Sequence, residues 1–106
     1  MLATLHLPAT APRVLTAPEV AALHVHFAPS QHLTVTDGAP AVRQLLGTAH
    51  DFEVMASGPA YLVLVVENAA DLELEVNTSA TDEVVRLTGV DFDEEPLLGP
   101  VLVIEA

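Results

Sequence analysis

Short apolar segments recur along the chain, separated by proline, glycine and asparagine at intervals of about ten residues, a rhythm typical of β-rich folds. The clearest predicted pair of strands is Phe52–Ser57 and Tyr61–Glu67, which the turn Ser57-Gly58-Pro59 connects. The remaining predicted strands are Leu2–Leu7, His32–Thr36, Asp71–Asn77, Glu83–Val90 and Pro100–Glu105. Asn68–Ala70 and Asn77–Asp82 are predicted turns between them.

The sequence patterns of two of these strands predict that they are buried in different ways. In Asp71–Asn77, aliphatic and acidic residues alternate, so a strand would place Leu72, Leu74 and Val76 on one face and Asp71, Glu73 and Glu75 on the other. In contrast, Leu62–Val66 is apolar at every position. A run of this kind predicts a central strand that is covered on both faces, or a strand at a subunit interface.

The first half of the chain also carries helix signals. Thr16, Pro18 and Glu19 have the spacing of a capping box with proline in the first turn. We expect one or two helical turns after Thr16 and an extended chain from about Leu23. Residues 40–46 precede a glycine and are predicted to form one short helix.

These elements predict one mainly β domain over residues 1–106. Its expected architecture is a two-sheet antiparallel β-sandwich, jelly-roll or immunoglobulin-like, of roughly seven to nine strands, with one or two short helical turns in the N-terminal half. The alternative is an α+β domain in which residues 16–26 and 40–46 are both full helices.

The charge balance narrows the range of partners. The 106 residues include fifteen acids, three arginines and no lysine, and the formal net charge is −12. Such a chain is not expected to bind nucleic acid or an anionic membrane surface. The absence of cysteine excludes disulfides, cysteine–zinc sites and thiol nucleophiles. With no signal-peptide pattern and no apolar run of membrane-spanning length, the expected location is cytoplasmic.

All five histidines lie in residues 1–50. On a strand, His24 and His26 would share a face, and His32 could complete a zinc or copper site. However, a hairpin closing over Ala28–Gln31 would pair Phe27 with His32, which puts His32 on the opposite face. A bulge or a one-residue shift in register would be needed to bring the three together. His6 and His50 are further ligand candidates that the sequence does not place.

Residues 51–106 hold thirteen of the fifteen acids against Arg86 alone. The densest cluster is a calcium candidate, since hard cations prefer carboxylate oxygens. Its members are Asp91, Asp93, Glu94 and Glu95. The alternative interpretation is a solvated loop. The acidic face expected on Asp71–Asn77 would be a patch for a basic protein partner, or the charged side of an edge strand that resists aggregation.

Two short stretches resemble known families. Leu15–Leu23 resembles the opening helix of excisionase-type helix-turn-helix proteins, although the basic residues that contact DNA are missing. Phe52–Gly58 with Leu62–Asn68 is similar to the paired strands of cupredoxins. That resemblance implies a β-sandwich fold, but the copper-binding cysteine of the family is absent, and Ala69 and Ala70 stand where a histidine ligand commonly follows.

No serine lies in a nucleophile elbow and no glycine-rich loop is suited to phosphate, so the sequence nominates no catalytic residue. The leading functional hypothesis is a non-enzymatic interaction or assembly module that needs no cofactor and forms a homo-oligomer. The second is a zinc- or copper-binding module that uses His24, His26 and His32. The third is a small enzyme of unknown chemistry.

Overall fold

A computed structural model of the protein describes residues 1–47, 51–89 and 95–106. In these ranges the strands are β1 (Leu2–His6), β2 (Arg13–Val14), β3 (Val25–Phe27), β4 (Leu33–Val35), β5 (Phe52–Ser57), β6 (Tyr61–Val66) and β7 (Val101–Glu105). The helices are α1 (Ala17–Ala22), α2 (Ala39–Leu46) and α3 (Thr78–Thr88). None of these helices is long and apolar enough to cross a membrane.

Five of the strands form one antiparallel sheet in the order β2-β1-β7-β6-β5. The last strand, β7, lies between β1 and β6, so the two ends of the chain meet at the sheet's centre. Strands β3 and β4 form a separate two-stranded hairpin. As a result, β5 and the short β2 are the two edges of the main sheet.

Apolar side chains cover both faces of the central strands. Leu62, Leu64 and Val66 of β6 belong to a core that α2 and the β3–β4 hairpin help to close. Val63 and Val65 point to the opposite face and pack in a second core with residues of α3. The prediction that Leu62–Val66 is covered on both faces is confirmed, and the cover comes from the same chain.

The structure confirms a mainly β fold with short helices, which also fits the α+β alternative. It does not show the two-sheet sandwich. A sandwich needs a second sheet packed face to face against the first. Instead, α3 covers one face of the main sheet, and helices together with the small hairpin cover the other.

Several local predictions hold in detail. Strand β5 has the predicted bounds, and β6 ends one residue earlier than expected. Helix α1 begins with the predicted capping box: the Glu19 N–H donates to the Thr16 hydroxyl, and the Thr16 N–H donates to the Glu19 carboxylate. Helix α2 ends at Gly47, whose φ of 63° is the left-handed conformation that glycine adopts readily.

Two predicted strands are wrong. Glu83–Val90 was expected to be a strand, but most of it belongs to α3, which starts inside the predicted turn Asn77–Asp82. Asp71–Asn77 forms no strand; its one ladder contact is an isolated bridge between Val76 and Leu98. The chain turns at Glu73, whose φ is 55°, so the three acids of this segment do not form one face of a strand.

A buried and an exposed valine are predicted to respond differently to the isosteric change to threonine. Val63→Thr places a hydroxyl in the fully buried core under α3, so we expect the free energy of unfolding to fall by about 1–3 kcal/mol. Val54→Thr is the control, because Val54 is 51% exposed on β5 and should change stability by less than about 0.5 kcal/mol. Urea unfolding measures both; equal stability of the two variants would contradict the cover by α3.

Candidate functional site

The β3–β4 hairpin differs by one residue from the expected register. Phe27 pairs with Leu33 and His26 pairs with Thr34. The turn is therefore longer than predicted, and the Ala28 N–H donates to the His32 carbonyl over 2.8 Å. This is the one-residue shift that the sequence required for the histidines to share a face.

The shift does not assemble a metal centre. His24 precedes β3 with a φ of 48°, and its carbonyl oxygen lies 2.9 Å from Nδ1 of His26. His26 Nε2 lies 3.5 Å from the Thr36 hydroxyl, and Nδ1 of His32 lies 3.3 Å from the Ser57 hydroxyl. Throughout the described ranges, no group of three or more histidine or acidic side chains is placed to hold a metal ion.

The calcium candidate falls mostly outside the described residues. Asp91, Asp93 and Glu94 are not among them, and neither is His50. Glu95 is described and is exposed to solvent. The calcium hypothesis and the contribution of His50 to a metal site therefore stay predictions.

A buried polar network joins α3 to the sheet. Asn77, which is 1% exposed, caps α3 by accepting from the Ala80 N–H over 3.1 Å. Its side-chain amide donates to the carbonyl oxygens of His6 on β1, at 2.9 Å, and Gly99 just before β7, at 2.8 Å. One side chain therefore satisfies groups of three segments, and its loss would leave buried carbonyls without partners.

His6 extends this network from β1. Its Nδ1 lies 3.0 Å from the Ser79 hydroxyl, which in turn donates to Oδ1 of Asn77 over 3.3 Å. Because a hydroxyl has one hydrogen, Ser79 accepts from His6, and Nδ1 carries the imidazole proton. A serine nucleophile needs the reverse polarity, with the hydroxyl donating to a histidine base. The arrangement therefore joins elements of the fold and does not activate Ser79.

The environment of His6 disfavours its charged form. The residue is 5% exposed, and its Nε2 has no hydrogen-bond partner in the described part of the chain. Burial lowers the pKa of His6 below its ordinary value, and the nearby Glu83 carboxylate opposes this shift only in part. His6 is thus held neutral near pH 7.

The three arginines are all engaged in ion pairs. Arg13 binds Glu19 at 2.8 Å, Arg43 binds Asp51 at 3.0 Å, and Arg86 binds both Glu83 and Glu105. Hydrogen bonds from Arg13 and the Thr16 backbone lower the pKa of Glu19 to about 2. Because the sequence has no lysine, no arginine or lysine side chain of the described residues remains for the other acids.

Eight acids of the described ranges have no ion-pair partner. They are Asp37, Glu53, Glu67, Asp71, Glu73, Glu75, Asp82 and Glu95. Six of them lie on β5, on the segment 67–75 that follows β6, or beside Pro96. The unneutralised negative charge is therefore concentrated near one end of β5 and β6.

A groove of about 320 Å³ lies among these acids. Its lining is mostly apolar and comes from β5, the end of β6 and two loops: Met55, Val65, Val66, Ala69, Ala70, Pro96, Leu97 and Leu98. Its polar lining is Glu53, Asn68 and Asp71. We call this feature, with both sets of residues, the acidic groove.

No family model matches this chain, and neither a curated protein nor a solved structure matches it.

Sequence reasoning missed both the buried network and the acidic groove. Asn77 followed by Ala80, Val84 and Leu87 has the spacing of a capped amphipathic helix, and that signal was available. The partnership of Asn77 with His6 spans 71 positions and has no local signature. The groove likewise combines β5 with residues 96–98, which only the folded topology brings together.

The lowered pKa of His6 predicts how stability depends on pH. An unfolded histidine binds a proton near pH 6.5, whereas buried His6 resists it, so the unfolded state gains more protons as the pH falls. We expect the free energy of unfolding to decline between about pH 7 and pH 5, above the range in which carboxylates titrate. His6→Gln should flatten this decline, and His24→Gln, an exposed control, should not; equal pH profiles for all three proteins in urea unfolding would contradict the assignment.

Proposed function

We propose that this protein is a non-enzymatic interaction module that binds a basic segment of a partner protein in the acidic groove. The observation that carries the proposal is the pairing of apolar lining with unneutralised acids in one concave surface. Glu53 and Asp71 contribute polar lining, while Glu67 and Glu95 directly precede or follow lining positions in the chain.

The chemistry of the groove defines the segment that fits it. Long basic side chains can lay their aliphatic stems on the exposed Met55 and the half-buried Leu98, and place their charged ends beside Glu53 or Asp71. Each arginine of the described ranges is already paired and the sequence has no lysine, so a basic segment from a partner would supply the long basic side chains. The net charge of −12 would also speed the encounter with a basic partner at low salt.

Two other predictions from the sequence, the homo-oligomer and the metal module, have weaker support, and the small enzyme stays an untested prediction. The homo-oligomer was predicted partly because strand β6 is apolar at every position. Both faces of β6 are buried within the chain, so β6 no longer supports self-association, and the homo-oligomer stays a prediction. The zinc or copper module also stays a prediction, and the imidazoles of His26 and His32 have hydrogen-bond contacts within the protein.

The proposal is tested with a synthetic peptide in which leucine and arginine alternate, titrated into ¹⁵N-labelled protein. We expect chemical-shift changes on β5, residues 66–71 and residues 96–98, and weaker binding as salt is raised. The variant Glu53→Gln/Asp71→Asn should lower the affinity by about fivefold, since each exposed charge pair contributes about 0.2–1 kcal/mol.

The matched control is Asp37→Asn/Asp82→Asn, which removes the same formal charge from unpaired acids away from the groove lining. This control should change the affinity by less than about twofold, because remote exposed charges are screened. Equal losses in the two double variants, or shift changes centred elsewhere, would show that the peptide is attracted by net charge alone.

A further inference from the structure

We propose that the basic segment binds as an extended strand along the free edge of β5, as a sixth strand of the main sheet, with alternate side chains directed to the acidic groove. The inference rests on the proposed function, and adds the conformation of the partner and the backbone atoms that recognise it. Such strand addition uses main-chain hydrogen bonds for affinity and alternate side chains for specificity.

Among the described residues, the first positions of β5 have one edge without a partner strand. Strand β5 pairs with β6 on one side, and no other described strand pairs with it. Val54 and Met55 are 51% and 38% exposed, so apolar side chains accompany the open backbone. The opposite edge of the sheet, β2, is two residues long and offers little to a partner.

The hydrogen-bond pattern identifies which backbone groups face outward. The Glu67 N–H donates to the Asp51 carbonyl over 3.0 Å, so these opposed residues are a hydrogen-bonded pair. In antiparallel strands such pairs alternate with non-bonded ones, which directs Glu53 toward β6 and directs Phe52 and Val54 to the free edge. The Phe52 N–H is already satisfied by Oδ1 of Asp51, at 2.9 Å.

Val54 is therefore the residue whose N–H and carbonyl are both directed to an added strand. A bulge at Met55 and the hairpin beyond it limit the open stretch. At the far end of β5, the Leu33 N–H donates to the Gly58 carbonyl over 3.0 Å, so β4 adjoins that end. The edge thus accepts a short segment centred on Val54.

The side-chain pattern of the segment follows from the pleat. A residue opposite Glu53 has its side chain on the face of the acidic groove, where a basic group meets Glu53. Its neighbour, opposite Val54, points to the other face and lies beside an exposed aliphatic side chain. The geometry selects a segment in which basic and apolar residues alternate.

A second copy of the chain fits this edge less well than a basic segment. Two molecules with a net charge of −12 repel each other, and pairing of β5 with itself would bring the Glu53 carboxylates of both copies to the contact. A self-paired edge also offers no basic side chain to the acidic groove, since Arg43 is bound to Asp51.

The test removes the hydrogen bonds of the edge while the side chains of the peptide are kept. Val54→Pro deletes the outward N–H, and proline is tolerated in edge strands where that group faces solvent. We expect it to weaken binding of the leucine–arginine peptide by about tenfold. A peptide N-methylated at alternate residues should also bind the unchanged protein about tenfold more weakly. This second result does not depend on the folding of the proline variant.

Each outcome separates the two proposals. If Val54→Pro and the N-methylated peptide bind normally while Glu53→Gln/Asp71→Asn weakens binding, strand addition is wrong and the acidic groove still functions. No binding of the unmodified peptide overturns both. A dimer in sedimentation velocity that Val54→Pro abolishes would assign the edge to a second copy and overturn the basic segment as its occupant.

Discussion

Strands β6 and β7 carry apolar side chains on both faces of the main sheet, and removing both faces from water governs the rest of the architecture. Leu102 and Ile104 of β7 pack in the same core as Leu62, while Val101 and Val103 pack beneath α3. Burial of each side chain of this size contributes about 1.5–3 kcal/mol to stability, so exposing either face would destabilise the fold. The hairpin and the first two helices are needed on one side and α3 on the other.

Covering both faces has consequences for polar groups and for charge. Asn77 fixes α3 in place, because its side-chain amide donates hydrogen bonds to carbonyl oxygens of β1 and of the residue before β7. Helix α3 in turn buries His6. With the apolar surface of β6 enclosed, the surface that we propose for recognition is the edge strand β5 and the acidic groove beside it. No arginine or lysine of the described ranges is left to neutralise the acids there, and the proposed binding of a basic segment rests on that imbalance.

The sequence predicted best where the signal was local. The strand pair β5–β6, the capping box at Thr16 and the glycine end of α2 depend on neighbouring residues, and each appears as expected. It failed at α3, where β-branched residues around Val84 suggested a strand, because the buried stripe and the Asn77 cap outweigh local propensity. The alternation at Leu72, Leu74 and Val76 also misled, since Leu74 packs on the first core while Leu72 and Val76 remain exposed. The site was harder to predict than the helices and strands, because the groove brings together segments that are far apart in the chain.

The most direct measurement of this account is backbone hydrogen–deuterium exchange followed by NMR at several protein concentrations. The account predicts that amides of β6 and β7 exchange slowest and at rates independent of concentration, since their cover is intramolecular. The Val54 amide should exchange fast in the free protein, because it is directed to solvent at the sheet's edge. Protection of β6 that falls on dilution, or a Val54 amide protected at every concentration, would contradict it.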